Sequence, residues 1–234
     1  MARKPESEVM SDEEAVSAYD SAAMQKHLDA SDNTLVEQVL SLAPDGKVLT
    51  GVLVDFGCGS GRITLKIAAR CPGLRVVGVD RSRAMLRFAR RAAEEQKLAG
   101  RVFFLRGDAG RMGFSSRTFD FVLCNSVLHH LSSPGTALEE MARVAKPDGT
   151  VLLRDLRRPS RLAFPFHVRW HGRHYSGIMR KLFEDSVRAA YTPEELSDLL
   201  CGCGMSQARI FLHKGSHMGF VYGANSKTYQ AGVK

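Results

Sequence analysis

A chain of 234 residues with 44% hydrophobic and 25% charged residues has the length and balance of one large α/β domain with a sizeable core. No apolar run approaches the ~20 residues of a membrane helix, and the first residues lack the apolar core of a secretion signal, so the expected location is cytoplasmic. Five scattered cysteines argue against a disulfide scaffold, and the close pair Cys201 and Cys203 has no partner pair at zinc spacing, so no metal is expected. The net charge is +8, and residues 154–188 hold nine Arg or Lys against three Asp or Glu. Such a segment can attract nucleic acid, anionic lipid or an acidic small molecule, or simply form a solvated face.

In chain order, residues 1–20 read as a polar, acidic arm. Helical patterns follow at 15–30 and 33–42, and together these make an N-terminal unit of arm and cap helices, 1–47. From 48 to 234 the pattern becomes one domain of alternating strands and helices. Strands are predicted at 51–56, 75–79, 101–105, 119–124, 149–154, 208–213 and 218–223. Helices are predicted at 60–70, 82–97, 135–145 and 193–201. The alternation predicts a parallel sheet covered on both faces, with its ligand beyond the C-terminal strand ends. Thr192-Pro-Glu-Glu195 has the form of a capping box with proline at the first helical position. Lys146-Pro-Asp-Gly149 reads as a turn between a helix and a strand.

The interval 156–191 breaks the alternation. It carries Phe164, Phe166, Trp170, Tyr175, His167, His171 and His174, and a helix is expected over about 176–190. A loop of this length inside a compact domain is functional or holds its own helix, and the interval is read as an insertion covering the ligand edge. Its aromatic residues are either a cover for a bound molecule or a small satellite core.

The strand ends carry the chemistry. Residues 52–61, Val-Leu-Val-Asp-Phe-Gly-Cys-Gly-Ser-Gly, run an apolar strand into Gly57, Gly59 and Gly61. Such a turn lets a ligand lie against bare backbone beside a helix N-terminus. Asp55 sits just before it, where a carboxylate repels a pyrophosphate but attracts an ammonium group. A dinucleotide fingerprint would want a glycine or alanine three residues after Gly59, where Arg62 stands. The second strand ends in Asp80, whose carboxylate can accept from both hydroxyls of a ribose. Beyond the third lie Asp108 and Ala109, suited to an amine and a ring nitrogen. The fourth ends in Asn125, followed by His129 and His130.

This ordered set resembles the class I S-adenosylmethionine-dependent methyltransferases, in the broad group that includes quinone-biosynthesis C-methyltransferases and many small-molecule enzymes. The likeness rests on residues 52–61, 77–80, 107–109, 119–131 and 143–153. It implies a Rossmann-like, doubly wound, seven-stranded, mostly parallel sheet with an antiparallel C-terminal strand and the cover insertion after strand five. It also implies S-adenosyl-L-methionine as methyl donor and S-adenosyl-L-homocysteine as product. On this likeness Asp55 faces the donor's amino group, and Gly57, Cys58, Gly59 and Gly61 pass its methionine part. Asp80 holds the ribose, with Arg81 beside the adenosine; Asp108 and Ala109 hold the adenine edge. Asn125 lies near the transferring methyl, and Tyr19 closes over the donor.

Methyl transfer from a sulfonium is an in-line displacement, and a base is needed only if the acceptor must lose a proton. The candidates are His129, His130, Asp155 and His167. Asp155 either orients an acceptor or pairs with Arg154 or Arg157. The expected acceptor is a small molecule, anionic or aromatic, handled by a monomer or homodimer. A methyltransferase acting on RNA or protein through 154–188 and a nicotinamide-dependent reductase are the weaker alternatives.

Overall fold

The computed structural model describes residues 1–5, 22–43, 47–226 and 229. It contains seven strands: β1 (Gly51–Phe56), β2 (Leu74–Asp80), β3 (Val102–Arg106), β4 (Phe119–Asn125), β5 (Ala145–Leu156), β6 (Arg209–His213) and β7 (His217–Gly223). They form one sheet in the order β3-β2-β1-β4-β5-β7-β6. The first five are parallel, and β7 runs antiparallel to both β5 and β6. Consecutive strands leave the centre in opposite directions from β1 and β4. The C-terminal ends of those two strands therefore flank the crevice where a doubly wound sheet takes its ligand.

The side-chain alternation of the strands divides the interior in two. Leu53 of β1 points into one core, with Leu35, Val36, Val39, Leu65 and Leu86. Val54 and Phe56 point into the other, with Leu138, Met141, Leu196 and Leu200. The helices supplying these residues are α1 (Ala22–Leu40), α2 (Arg62–Arg70), α3 (Arg83–Glu95), α4 (Pro134–Val144) and α7 (Pro193–Gly202). A short 3-10 turn, Leu128–His130, follows β4. The capping box at the start of α7 is formed in both directions, Glu195 N–H to Thr192 Oγ1 at 3.3 Å and Thr192 N–H to Glu195 Oε2 at 3.0 Å.

Two local expectations change. The two N-terminal helices are one helix, α1, which runs through Ser31-Asp32-Asn33 without a break. Those polar residues have tertiary partners that remove their reason to end a helix: Asp32 accepts from Arg62 at 2.8 and 3.0 Å, and Ser31 accepts from Arg154. Tyr19 lies outside the described residues. Residues 146–149 do turn, but inside β5 rather than before it. Ala145 pairs with Phe119 and Thr150 with Phe121, so four residues loop out opposite one. Of the two close cysteines, Cys201 is exposed and Cys203 half-buried.

The interval after β5 folds as two helices, α5 (Phe164–His171) and α6 (Gly177–Ala189). Alpha6 matches the expected span, whereas α5 has Pro165 in its first turn, where the missing N–H costs nothing. Phe164 and Val168 of α5 pack with Leu156, Val187, Ala190 and Phe183 in a separate small core.

Candidate active site

The turn after β1 is held open by backbone geometry. Gly57, Gly59 and Gly61 all have positive φ, 71°, 54° and 79°. Two of them are also places of close approach. A Cβ on Gly57 would lie 2.3 Å from Val127 Cγ2, and one on Gly61 would lie 2.8 Å from Phe104 Cζ. A Cβ on Gly59 would meet nothing within 4 Å, so this glycine faces open space. That space is a cavity lined by Asp55, Gly57, Cys58, Gly59, Asp80, Ala109 and Asn125, among others. Cys58 is buried, and burial together with the charges of Asp55 and Asp80 pushes its thiol well above the ordinary range. It is a packing group there, not a nucleophile.

Asp80 stands at the end of β2 with each carboxylate oxygen anchored. Oδ2 accepts from Gly59 N–H at 2.9 Å and Oδ1 from Ser82 N–H at 2.8 Å. Each oxygen retains a further lone pair. Asp55 is buried and accepts from Thr64 Oγ1 at 2.6 Å. Burial raises its carboxyl to about 7, with the nearby Asp80 charge adding to the rise and the Thr64 hydrogen bond opposing it. A carboxylate in this state gains from an incoming cation.

Asp108 is exposed, and its neighbours Gly107 and Ala109 line the cavity while Asp108 itself does not. It accepts from the backbone N–H of Gly110 at 2.9 Å and faces Arg81 Nε at 3.5 Å in an exposed ion pair. Ala109, next to it, is buried in the cavity wall. Asn125 Oδ1 accepts from Arg154 Nε at 3.0 Å.

His129 and Asp155 are brought together, although 26 residues apart. The His129 Nδ1 to Asp155 Oδ1 distance is 2.5 Å, and the backbone N–H of His129 donates to Asp155 Oδ2 at 3.0 Å. Leu156 N–H supplies a third donor at 2.6 Å. The partner of Asp155 is thus His129, in place of Arg154 or Arg157. Burial acts to raise the Asp155 carboxyl, but the His129 ring, its hydrogen bond and the Leu156 N–H outweigh it and hold the group below its ordinary value. An ionised Asp155 can only accept, which fixes the hydrogen of a neutral His129 on Nδ1 and its lone pair on Nε2.

A second cavity adjoins the first. Its walls come from α1 (Ser31, Asp32, Thr34), the 3-10 turn (His129, His130), the α5–α6 region (Trp170, His171, His174, Tyr175) and the β6–β7 hairpin (His213, Lys214, His217). Among the described residues, six histidines line it. A seventh, His167, stands outside the lining but stacks on His171 with ring centroids 4.5 Å apart. Burial and the Arg154 charge depress His217 to about 3 and His213 to about 4, and burial with the His171 and Arg157 charges takes His167 to about 4. These rings are neutral at pH 7 and serve as hydrogen-bonding groups. The two cavities share Asp32, Ile63, Asn125, Ser126 and His130.

Arg154 is the main residue that sequence reading passes over. Its guanidinium, almost wholly buried, donates to Asn125, Thr34 and Ser31, pinning α1 over the junction of the cavities. Its burial lowers its pKa to about 10. One signal was available: an arginine interrupts the apolar run of β5, and a charge there must be paired or heavily hydrogen-bonded. Arg3 is another. It reaches Ala189 O at 2.6 Å and His129 O at 3.2 Å, behind the histidine–aspartate pair. Among the described residues no cluster of His, Cys, Asp or Glu is arranged to hold a metal ion, and no helix is long and apolar enough to cross a membrane.

Comparison with known proteins assigns this architecture. A family model described as a methyltransferase domain matches residues 54–153. The chain is 34% identical over 109 residues to a demethylmenaquinone methyltransferase of Lactiplantibacillus plantarum, a stretch covering 46% of each chain, so the match spans about half of that relative. Among solved structures, a SAM-dependent methyltransferase from Aquifex aeolicus matches with TM-score 0.64 and 19% identity over 90% of this chain and 97% of the other. The plantazolicin methyltransferase BpumL, solved with SAH and a monoazolic desmethylPZN analog, matches with TM-score 0.71 and 15% identity over 91% and 90%. The fold is therefore the Rossmann-like fold of the S-adenosylmethionine-dependent methyltransferases. Within it, residues 54–153 are the part that matches the methyltransferase-domain model.

Proposed function

We propose that this protein transfers a methyl group from S-adenosylmethionine, held over the Gly57–Gly59 turn, to a small molecule held in the histidine-lined cavity. The observation that carries this reading is the junction of the two cavities at Asn125, Ser126 and His130. One cavity has the features a sulfonium amino acid joined to a nucleoside requires. Gly59 leaves its backbone open to a ligand, Asp80 retains lone pairs for a diol, and Asp55 gains from an ammonium group. Asp108 and Ala109, with Arg81, are assigned to the adenine end. When bound, the donor supplies an activated methyl group, and the protein's task is to align and to exclude water.

His129 is assigned as the base. Asp155 accepts from the backbone N–H of His129 and pairs with its ring Nδ1, which orients the ring with its lone pair on Nε2, while His130, with its ring 3.9 Å from that of His129, lines both cavities and is assigned to position the acceptor. Deprotonating a hydroxyl at the junction makes either its oxygen or, in an aromatic ring, a neighbouring carbon nucleophilic. The relatives named demethylmenaquinone methyltransferases make hydroxylated aromatic acceptors the first class to test. Helices α5 and α6, within the insertion proposed over 156–191, are assigned as the acceptor cover.

The test has two stages. Calorimetry with S-adenosylmethionine, S-adenosylhomocysteine and NADH should give binding of the first two alone; NADH binding in their place refutes the reading. Methyl-labelled donor incubated with cell-extract fractions should then label a small-molecule pool. Label confined to RNA or protein would move the acceptor to the alternative class.

A further inference from the structure

We infer that α5 and the segment leading into it form a docking surface for an anionic lipid bilayer. Helix α5 is apolar on two opposite faces. Phe164 and Val168 are buried in the small core, but Leu162, Phe166 and Trp170, spaced by four residues, are 87%, 75% and 66% exposed. A stripe of large apolar side chains left in water at helical spacing asks for a partner. Ile178, at the start of α6, is 54% exposed and continues the apolar character of this segment.

The charges decide which partner. Residues 156–183 hold seven Arg or Lys and no Asp or Glu. Two of the seven, Arg157 and Arg158, are turned to internal acceptors at Gly215, Ala190 and Glu195. The other five, Arg161, Arg169, Arg173, Arg180 and Lys181, are exposed, and none has a carboxylate partner among the described residues. Arg173 instead packs its guanidinium 4.7 Å from the Trp170 ring centroid. An exposed Leu-Phe-Trp stripe within unpaired cations is the composition of an interfacial helix. The apolar side chains enter the acyl boundary, tryptophan sits at headgroup level, and Arg and Lys meet the lipid phosphates. A second copy of the chain fits poorly, because the same cations would face one another. A nucleic acid answers the charge but leaves Leu162 unaccounted for.

Trp170 and Arg173 also line the histidine-rich cavity. The surface that meets the bilayer would thus stand at the mouth of the acceptor site, admitting an acceptor dissolved in lipid. This consequence rests on the methyl-transfer reading; the docking itself does not, and it is measured without turnover.

Trp170 is the only tryptophan, so its emission reports on this stripe alone. The full chain is titrated with vesicles of phosphatidylglycerol and, separately, of phosphatidylcholine. With phosphatidylglycerol the emission should shift to the blue, brominated acyl chains should quench it, and added salt should weaken binding. Phosphatidylcholine should bind far more weakly. The double variant Leu162→Ser, Phe166→Ser should lose vesicle affinity by about tenfold or more while keeping its donor affinity and melting temperature, since two large apolar groups no longer enter the membrane. Arg161→Glu with Arg169→Glu should abolish the preference for phosphatidylglycerol. Four results would overturn the inference: no shift with phosphatidylglycerol, equal binding to both vesicles, unchanged affinity in the serine variant, or a stripe occupied otherwise. The last would appear as a dimer dissolved by the serine variant, or as tighter binding to poly(U) that depends on Leu162 and Phe166.

Discussion

The two cavities of this protein are built from different materials. The one over the β1 turn is made largely of backbone: three glycines with positive φ, and the N–H groups of Gly59 and Ser82 that fix the Asp80 carboxylate at the end of β2. The other is made of side chains from four segments, α1, the turn after β4, the α5–α6 insertion and the β6–β7 hairpin. A backbone site is set by the fold and tolerates little change. A side-chain site can be rewritten one residue at a time, which is how one fold accommodates many substrates. On the proposed reading, the first holds what such enzymes share and the second holds what is particular to this one.

The contrast is broken most directly at His129. His129→Ala should lower kcat by about 10²–10⁴-fold, the range for a general base, while donor affinity measured by calorimetry stays within about threefold. Asp155→Asn should show the same split, because the amide no longer fixes the tautomer. An equal loss of donor binding would instead make the pair a structural support for both cavities.

Glycine variants separate shape from surface inside the backbone site. Gly57→Ala places a methyl group 2.3 Å from Val127 at positive φ, so it should lower the melting temperature by the equivalent of about 3 kcal/mol or more. Gly59→Ala meets open space and carries only the conformational cost, about 1 kcal/mol, yet its methyl projects into the cavity and should weaken donor binding. Equal thermal losses in the two would mean that Val127 moves aside. Asp80→Ala should come next in size, weakening donor affinity by about 1–3 kcal/mol as charged hydrogen bonds are lost; unchanged affinity would remove it from the site.

The same contrast explains what could be read from the chain beforehand. The glycine turn, the acids Asp55 and Asp80 beside it and the alternation of strands and helices follow from local spacing, because a parallel strand followed by a helix forces its ligand to the next turn. The capping box at Thr192 was legible for the same reason: its two partners lie three residues apart. The His129–Asp155 pair was not, since its members lie on neighbouring strand ends and nothing local chooses His129 over Arg154 or Arg157 as the partner. The burial of Arg154 also depends on α1, more than a hundred residues away. Helix α5 was hidden because Phe164, Phe166, Val168 and Trp170 alternate, and the alternation points to no single helical face.

The last contrast concerns Asp55, and it divides binding from stability. Its carboxyl sits near 7 in the folded protein, mainly through burial, against 3.8 as its ordinary value. The folded state therefore favours the neutral form. The stability this contributes is present at low pH and is lost as pH rises to about 7. Donor binding should run the other way, because an ammonium group favours the ionised form, so affinity should rise through about pH 7 and then level. The depressed histidines oppose the first trend: buried neutral at His167, His213 and His217, they add stability as pH rises toward 6.5, their ordinary value. Asp155, held below its ordinary value, changes only in the acid range, outside this window. The Asp55 contribution is therefore the difference between wild type and Asp55→Asn in calorimetric scans from about pH 5 to 8. The variant should lose the pH dependence of donor affinity and gain relative stability at the upper end. If both proteins keep the same affinity profile, Asp55 shapes the turn through Thr64 and does not meet the donor's amino group.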